Sequence, residues 1–233
     1  MKKILFILVF AMFVPCIADA AGSGHYSIIK KYDDETTINY DKIRKPKHWY
    51  LDVRADLSFL SWKNEYTYGS DSSTDKFSFK PVVGVDLAVG IKIGKSWRTD
   101  FELGYLGTYS ETETEYITNY ITEKTEFNLS TFYATFNGYY DFYAGFYAGL
   151  GAGVALVQTS LDHSALNKVS KTNASPMGAA MLGWMHPLND KLNLDVRYRF
   201  AAFSGSELDY LNFRMKIGLI TDNSVSIGLK YAF

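Results

Sequence analysis

The chain ends on Val225-Ser226-Ile227-Gly228-Leu229-Lys230-Tyr231-Ala232-Phe233. Apolar side chains occupy every odd position, with Ser, Gly, Lys and Ala between them. A period of two is a strand with two unlike faces. Chain ends of soluble domains are commonly polar and frayed. This one is an aromatic-terminated strand of roughly the 9–11 residues that a tilted strand needs to cross a bilayer. It restricts the fold more than any other segment. One face must meet lipid and the other a polar interior, as in the wall of a transmembrane β-barrel.

The opposite end has a different character. Met1-Lys2-Lys3 is basic, Ile4 to Ile17 is apolar, and Ala18-Asp19-Ala20 is a small-x-small triplet. These are the parts of a signal peptide over residues 1–20, with the mature chain starting at Ala21. The apolar run is too short for a membrane helix and is interrupted by Pro15. Cys16 is the sole cysteine. It sits after Val14-Pro15, a poor context for a lipoprotein acceptor, and is expected to leave with the signal. The mature chain then has no thiol for a disulfide or for catalysis.

Composition agrees with a barrel. A mean hydropathy of -0.10 is what strands with one polar face produce. The 18 Tyr and 16 Phe suit aromatic girdles, though a soluble β-sandwich could also carry them. The formal charge of -1 becomes -2 when Lys2, Lys3 and Asp19 are removed, and gives no reason to expect a nucleic-acid partner.

Residues 21–48 are polar and without clean periodicity, ending in the basic run Lys42 to His48. They read as a flexible periplasmic lead-in, with a plug in the barrel or a cell-wall contact as the alternatives. From Trp49 the period of two begins. Trp49, Leu51, Val53, Ala55, Leu57 and Phe59 alternate with Tyr50, Asp52, Arg54, Asp56 and Ser58. A second strand sets Phe79 to Ile91 against Lys80, Gly84, Asp86, Gly90 and Lys92. A third sets Phe101, Leu103 and Tyr105 against Arg98, Asp100, Glu102 and Gly104. The fourth, near Phe127 to Tyr140, is apolar on both faces. The fifth, Phe146 to Val157, turns Ala148 to Val154 outward and a column of Gly149, Gly151 and Gly153 inward, where they could make room for arginines opposite. The sixth, near Pro176 to His186, is ambiguous in face. The seventh sets Leu192 to Phe200 against Asn193, Asp195, Arg197 and Arg199, and the eighth ends the chain.

Short turns fall at Gly94-Lys95-Ser96, near Asp141-Phe142 and at Leu188 to Lys191. Long polar connections fall at Lys63–Lys76, Ser110–Lys124 and Gln158–Ser175. Short turns on one side and long loops on the other characterise outer-membrane barrels. Trp49, Trp97, Tyr147, Trp184, Tyr231 and Phe233 lie at the short-turn end, where an interface girdle belongs.

Leu208–Ile220 also has strand character, with Leu211, Phe213, Met215, Ile217 and Leu219 on odd positions and Thr221-Asp222-Asn223 resembling a turn. A ninth membrane strand would break the even count of single-chain bacterial barrels. The segment is therefore expected to be a loop or an extension of the last strand, its odd parity continuing to Phe233. Ten strands is the alternative count. The architecture expected is an all-β, eight-stranded antiparallel transmembrane up-and-down barrel over residues 49–233.

Trp97-Arg98-Thr99-Asp100-Phe101-Glu102-Leu103-Gly104-Tyr105 resembles the arginine-acid-acid-glycine-tyrosine strand of the opacity-type surface-antigen family of outer-membrane barrels. Asn137 to Phe142, Tyr147 to Gly153, Leu192 to Phe200 and Gly228 to Phe233 resemble that family's second periplasmic turn and its fifth, seventh and eighth strands. The resemblance implies an eight-stranded barrel at the cell surface, often concerned with adhesion or host contact, and it transfers no catalytic residue.

The polar constellation of the chain is its set of inward charges: Asp52, Arg54, Asp56, Asp86, Lys92, Arg98, Asp100, Glu102, Asp195, Arg197, Arg199 and Lys230. In a narrow lumen they are expected to interlock, because an unpaired buried charge is costly, and to fill it structurally. An ion path is the alternative. The four histidines, His25, His48, His163 and His186, have no metal spacing. His25-Tyr26-Ser27 has the His-x-Ser form of lipid A deacylases, but in the lead-in rather than on a strand. Asp162-His163 lacks placed partners for a protease. The acidic, Thr-rich run Ser110 to Glu115 reads as a solvated loop tip or a contact for a basic partner. No cofactor is expected. The expected partners are outer-membrane lipid and lipopolysaccharide, a host or cell-surface ligand at the long loops, and the barrel-assembly machinery, which would read Tyr231 and Phe233. The competing functions are a small-solute pore and, further off, a lipid-modifying or proteolytic enzyme.

Overall fold

The alternation that begins at Trp49 is realised as a run of long strands. The computed structural model describes residues 49–68, 71–93, 96–118, 121–163, 168–210 and 213–233. The expected signal peptide and lead-in, with His25 and His48, lie outside them. The strands are β1 (Trp49–Tyr68), β2 (Asp71–Ile93), β3 (Trp97–Thr118), β4 (Ile121–Asp141), β5 (Phe146–His163), β6 (Val169–Pro187), β7 (Leu192–Ser204), β8 (Glu207–Tyr210), β9 (Phe213–Ile217) and β10 (Leu219–Ala232). Each of β1 to β7 pairs antiparallel with the next, β7 pairs with β10, and β10 returns to β1. Eight strands thus close a ring, and no sheet edge faces lipid within it, which is the condition for a β-structure to cross a bilayer. The expected count of eight holds and the ten-strand alternative does not.

The ring turns the odd residues of β1 outward. Val83 and Leu150 are 70% and 73% exposed, which in water would be an unfavourable apolar surface and in hydrocarbon is a belt. On β1 the belt runs over residues 49–59, about the length a tilted strand needs to cross. The short turns share one end. The Phe142 amide donates to the Phe146 carbonyl, bracketing a 3-10 turn at Tyr143–Gly145. Asn189 accepts from the amides of Lys191 and Leu192 in an Asx-type turn. The Phe233 amide donates to the Trp49 carbonyl at this same end, so the chain finishes on the short-turn side as expected.

At the other end the long polar connections are paired strand rather than loop. β1 and β2 stay in register from Trp62↔Phe77 to Tyr68↔Asp71, and β3 and β4 from Thr108↔Ser130 to Tyr116↔Thr122, with one further irregularity before Thr118↔Ile121. The expected extension of the last strand exists as β9, which pairs with β1 over Asn64–Tyr68, with β8 on its outer side. Its parity is not continuous with β10. Met215 and Ile217 are buried, Leu219 is exposed and Ile220 is buried, so the face switches at Gly218. Two further switches lie at the same level. An extra residue in β2, with Phe79 at φ 56, and an extra residue in β3, with Gly107 at φ 102, shift the register against β1 and β4. These are β-bulges, which twist a strand and re-aim its side chains. They bring Phe77 and Tyr109 to the inner side, where they join an apolar cluster including Leu60, Trp62, Leu106, Leu129, Met177, Phe203, Met215, Ile217 and Ile220.

Beyond the bulges the ring divides. The pairing of β2 with β3 stops at Val85↔Tyr105, and that of β6 with β7 at Met177↔Phe203. Two four-stranded ribbons continue outward, β8-β9-β1-β2 and β3-β4-β5-β6.

Candidate functional site

Below the apolar cluster the interior is built from the inward residues of the regular lower strands. Eleven of the twelve expected charges are buried there. Glu102 on β3 is the hub. Its carboxylate accepts from Arg54 Nη2 at 2.6 Å, Arg197 Nη1 at 2.7 Å and Arg199 Nη1 at 3.1 Å, and from the Tyr133 hydroxyl at 2.8 Å. Asp86 accepts from Arg197 Nη2 at 2.7 Å and from the Tyr133 hydroxyl. Asp52 pairs with Arg54 at 2.5 Å and with Lys230 at 3.2 Å, and Asp195 pairs with Lys230 at 3.0 Å. Buried charges persist only when paired and hydrogen-bonded in this way.

Arg98 lies nearest the short-turn end. Its Nε donates to Asp141 at 2.8 Å, and its guanidinium lies 4.6 Å from the Tyr147 ring centroid and 4.8 Å from that of Tyr139. Delocalised and weakly hydrated, a guanidinium suits such an aromatic enclosure. Lys92 departs from expectation. Its side chain is 43% exposed and reaches Asp141 at 3.9 Å, so it belongs to the rim.

The network also uses residues that the charge pattern did not single out. Tyr50, Tyr133, Tyr139 and Tyr147 all point inward and donate to carboxylates. Tyr147 is 2% exposed and is therefore not part of the girdle, where it was expected. Asp222 is no turn residue. It lies within β10, opposite Leu60 of β1 and Ala201 of β7, and pairs with Arg199 at 3.4 Å.

The inward glycines serve cross-strand neighbours. Register pairs set Gly90 against Tyr50, Gly104 against Tyr133, Gly149 against Tyr139, Gly151 against Asn137, Gly183 against Tyr147 and Gly228 against Arg54. At each, an added Cβ would strike that partner's side chain. The β5 glycines therefore clear space for Tyr139 and Asn137 rather than for arginines opposite. Gly153 instead allows close approach to the Ala134 carbonyl.

Acids outnumber bases among the buried, described residues: Asp52, Asp56, Asp86, Asp100, Glu102, Asp195 and Asp222 against Arg54, Arg98, Arg197, Arg199 and Lys230. Asp100 is held by neutral donors, Tyr50 at 3.0 Å and Asn137 at 2.9 Å. Among the described residues neither oxygen of Asp56 makes a hydrogen bond, and the nearby Ser58 and Ser224 hydroxyls also make none.

At the hairpin end, Lys80 reaches from β2 to Glu111 of β3 at 3.6 Å and lies 5.2 Å from the Tyr109 ring centroid. The Tyr109 hydroxyl, and then Glu111, raise this ammonium above its ordinary value. On the outer face of the first ribbon, Glu65, Thr67, Glu207, Arg214 and Lys216 line a shallow polar hollow. His186 stacks on Trp184 at the short-turn end, far along the barrel from Asp162. Tyr231 and Phe233 face outward at that end in an edge-to-face pair with centroids 5.5 Å apart.

The family model described as outer membrane protein beta-barrel domain matches residues 44–233. No curated protein matches the chain. Among solved structures, Neisserial surface protein A is 16% identical with a TM-score of 0.44, covering 79% of this chain and 97% of that one. Ail, the attachment invasion locus protein of Yersinia pestis, is 11% identical with a TM-score of 0.45, covering 80% and 99%. The outer membrane protease OmpT from Escherichia coli is 10% identical with a TM-score of 0.45, covering 79% and 97%.

Proposed function

The chain belongs to the outer membrane protein β-barrel domain family, and from that premise we propose that it is a non-enzymatic surface protein. In this reading the barrel is a closed support and the two ribbons make contacts outside the cell. In outer-membrane barrels the short turns face the periplasm and the long connections the exterior, which puts the Trp49 and Phe233 end inside and the ribbons outside.

The observation that carries the reading is the filling of the lumen. Three arginines converge on Glu102 from β1 and β7, and an apolar cluster lies above them. An eight-stranded barrel has an interior just wide enough for its own side chains, and here large ones occupy it at both levels. The pore alternative needs a path through both. The enzyme alternative needs a nucleophile and base converging near the rim, whereas the charges that converge do so inside.

Residues 1–20 act in this scheme as a signal peptide removed in export. Residues 21–48 form the periplasmic lead-in. Tyr231 and Phe233 present the terminal strand to the assembly machinery, and the belt meets lipid and lipopolysaccharide. The fold is tested by slower migration on boiling. The closed lumen is tested in planar bilayers, where steady nanosiemens openings would overturn it. The surface role is tested by replacing residues 114–124 with an Asn-Gly turn between the paired Glu113 and Thr125. Cell binding should fall while folding is retained. Unchanged binding would overturn the role of this hairpin.

A further inference from the structure

Among the described residues the division of the ring leaves four strand edges unpaired beyond the membrane: β2, β3, β6 and β8. An open edge is a row of free backbone donors and acceptors, and proteins ordinarily blunt it. Three of these edges are blunted. β8 has four residues. β6 carries Lys171, and its Asn173 and Ser175 side chains donate to the Gly205 and Ser204 carbonyls, covering the edge. β2 begins Asp71-Ser72-Ser73-Thr74-Asp75-Lys76, a run of poor strand formers with a lysine.

The β3 edge is different. Thr112-Glu113-Thr114-Glu115-Tyr116-Ile117-Thr118 has no proline and no lysine, and it is rich in β-branched and aromatic residues that favour strands. Among the described residues it pairs only with β4, regularly as far as Tyr116↔Thr122 and with an irregularity between Tyr116 and Thr118. Below that irregularity its restraint is charge. Glu113 and Glu115 lie along it, while Glu111 is paired with Lys80 of β2, and the register sets Glu115 opposite Glu123, Thr114 opposite Lys124 and Thr112 opposite Glu126, with Lys124 the sole cation among residues 110–127. Such an edge rejects a second copy of itself and any acidic strand, and admits a basic one. Its pairing with β2 ends below, at Val85↔Tyr105.

We propose that the edge of β3 over Thr112–Tyr116 is a docking site for an extended, basic polypeptide segment, which adds to the sheet as a further antiparallel or parallel strand. Main-chain hydrogen bonds supply the attachment and lysine or arginine side chains the selectivity. This rests on the surface role proposed above and names how one ribbon would exercise it.

The probe is a labelled seven-residue peptide alternating lysine with valine, titrated against the full chain folded in detergent and followed by fluorescence anisotropy. Two further peptides carry N-methyl groups on one or the other set of alternate amides, and a fourth replaces lysine by glutamate. Saturable binding is expected. It should weaken at least about ten-fold for one N-methylated set and for the glutamate peptide, as loss of paired backbone groups and charge reversal require. The double variant Glu113→Lys, Glu115→Lys should retain its heat-modifiable migration and prefer the glutamate peptide. Equal binding by parent and both N-methylated peptides would overturn the proposal, since plain charge attraction needs no edge. Absence of binding would overturn it too. If the double variant keeps the cell binding that hairpin replacement abolishes, the edge assignment fails while the surface role stands.

Discussion

Glu102 and Arg197 meet across the full width of the barrel. They lie on β3 and β7, four places apart in either direction around a ring of eight, and their side chains join at 2.7 Å. Opposite walls are thus tied through the middle. Arg54 and Arg199 join the same carboxylate, so its loss would take one partner from three guanidiniums at once. Glu102→Gln is expected to destabilise the barrel by about 3–5 kcal/mol, the range for removing one partner of a buried pair. Urea unfolding in micelles, read by tryptophan fluorescence, measures it.

Asp56 provides the opposite case within the same lumen. Its oxygens make no hydrogen bond among the described residues, and it belongs to an interior with more acids than bases. Asp56→Asn keeps the shape and replaces a buried carboxyl group with a neutral amide. Stability should stay equal or rise by roughly 1 kcal/mol. A loss comparable to that of Glu102→Gln would show that Asp56 is a paired member of the network.

The glycine slots give a graded comparison. In Gly104→Ala the new methyl would enter the Tyr133 ring and the Asp86 carboxylate, and overpacking of this kind costs about 1–3 kcal/mol. At Gly178 an added Cβ meets nothing within 4 Å, and Gly178→Ala should be neutral or stabilising by up to about 1 kcal/mol. Midpoints of heat-modifiable migration for the two variants, run side by side, check the ordering.

Ala144 sits at φ 61 in the turn between β4 and β5, a left-handed conformation that disfavours any side chain with a Cβ. Ala144→Gly should relieve about 1 kcal/mol and raise the unfolding midpoint. An unchanged or lowered midpoint would count against that backbone conformation.

The face switch at Gly218 can be read chemically. Lys216→Cys should react with a soluble maleimide and Ile217→Cys should not, because Lys216 is exposed and Ile217 is buried in the apolar cluster. The reverse would restore a continuous parity from β9 to β10.

How much of this could be read from the chain depends on where its period of two is unbroken. In the lower strands the outward residues are mostly apolar and the inward ones mostly polar, so the charges of β1, β3 and β7 and the end of β10 declare their face. The inner side of β4 is hidden because aromatics lie on both sides. There the hydroxyl is the clue: Tyr133 and Tyr139 face in and donate to carboxylates, while Phe132 and Phe136 face out. Above the membrane the reading fails, because single-residue bulges exchange the two faces and leave the composition unchanged. Phe79, which is no natural left-handed residue, gives no warning of one. Asp222 is concealed by its neighbours Thr221 and Asn223, which resemble a turn. The docking edge is a property of pairing, and pairing between β2 and β3 has no local signature.

The bond from Phe233 to Trp49 implies an order of events. β1 and β10 share a seam, and the ring closes only when they pair. Along that seam lie Asp56, Ser58, Asp222 and Ser224, whose side chains carry several of the unpartnered oxygens among the described residues. Lower down the seam is braced by the ion pair of Asp52 with Lys230, and above that pair its oxygens lack such a brace. If the cylinder ever breathes, its amides should begin exchanging here, between its beginning and its end.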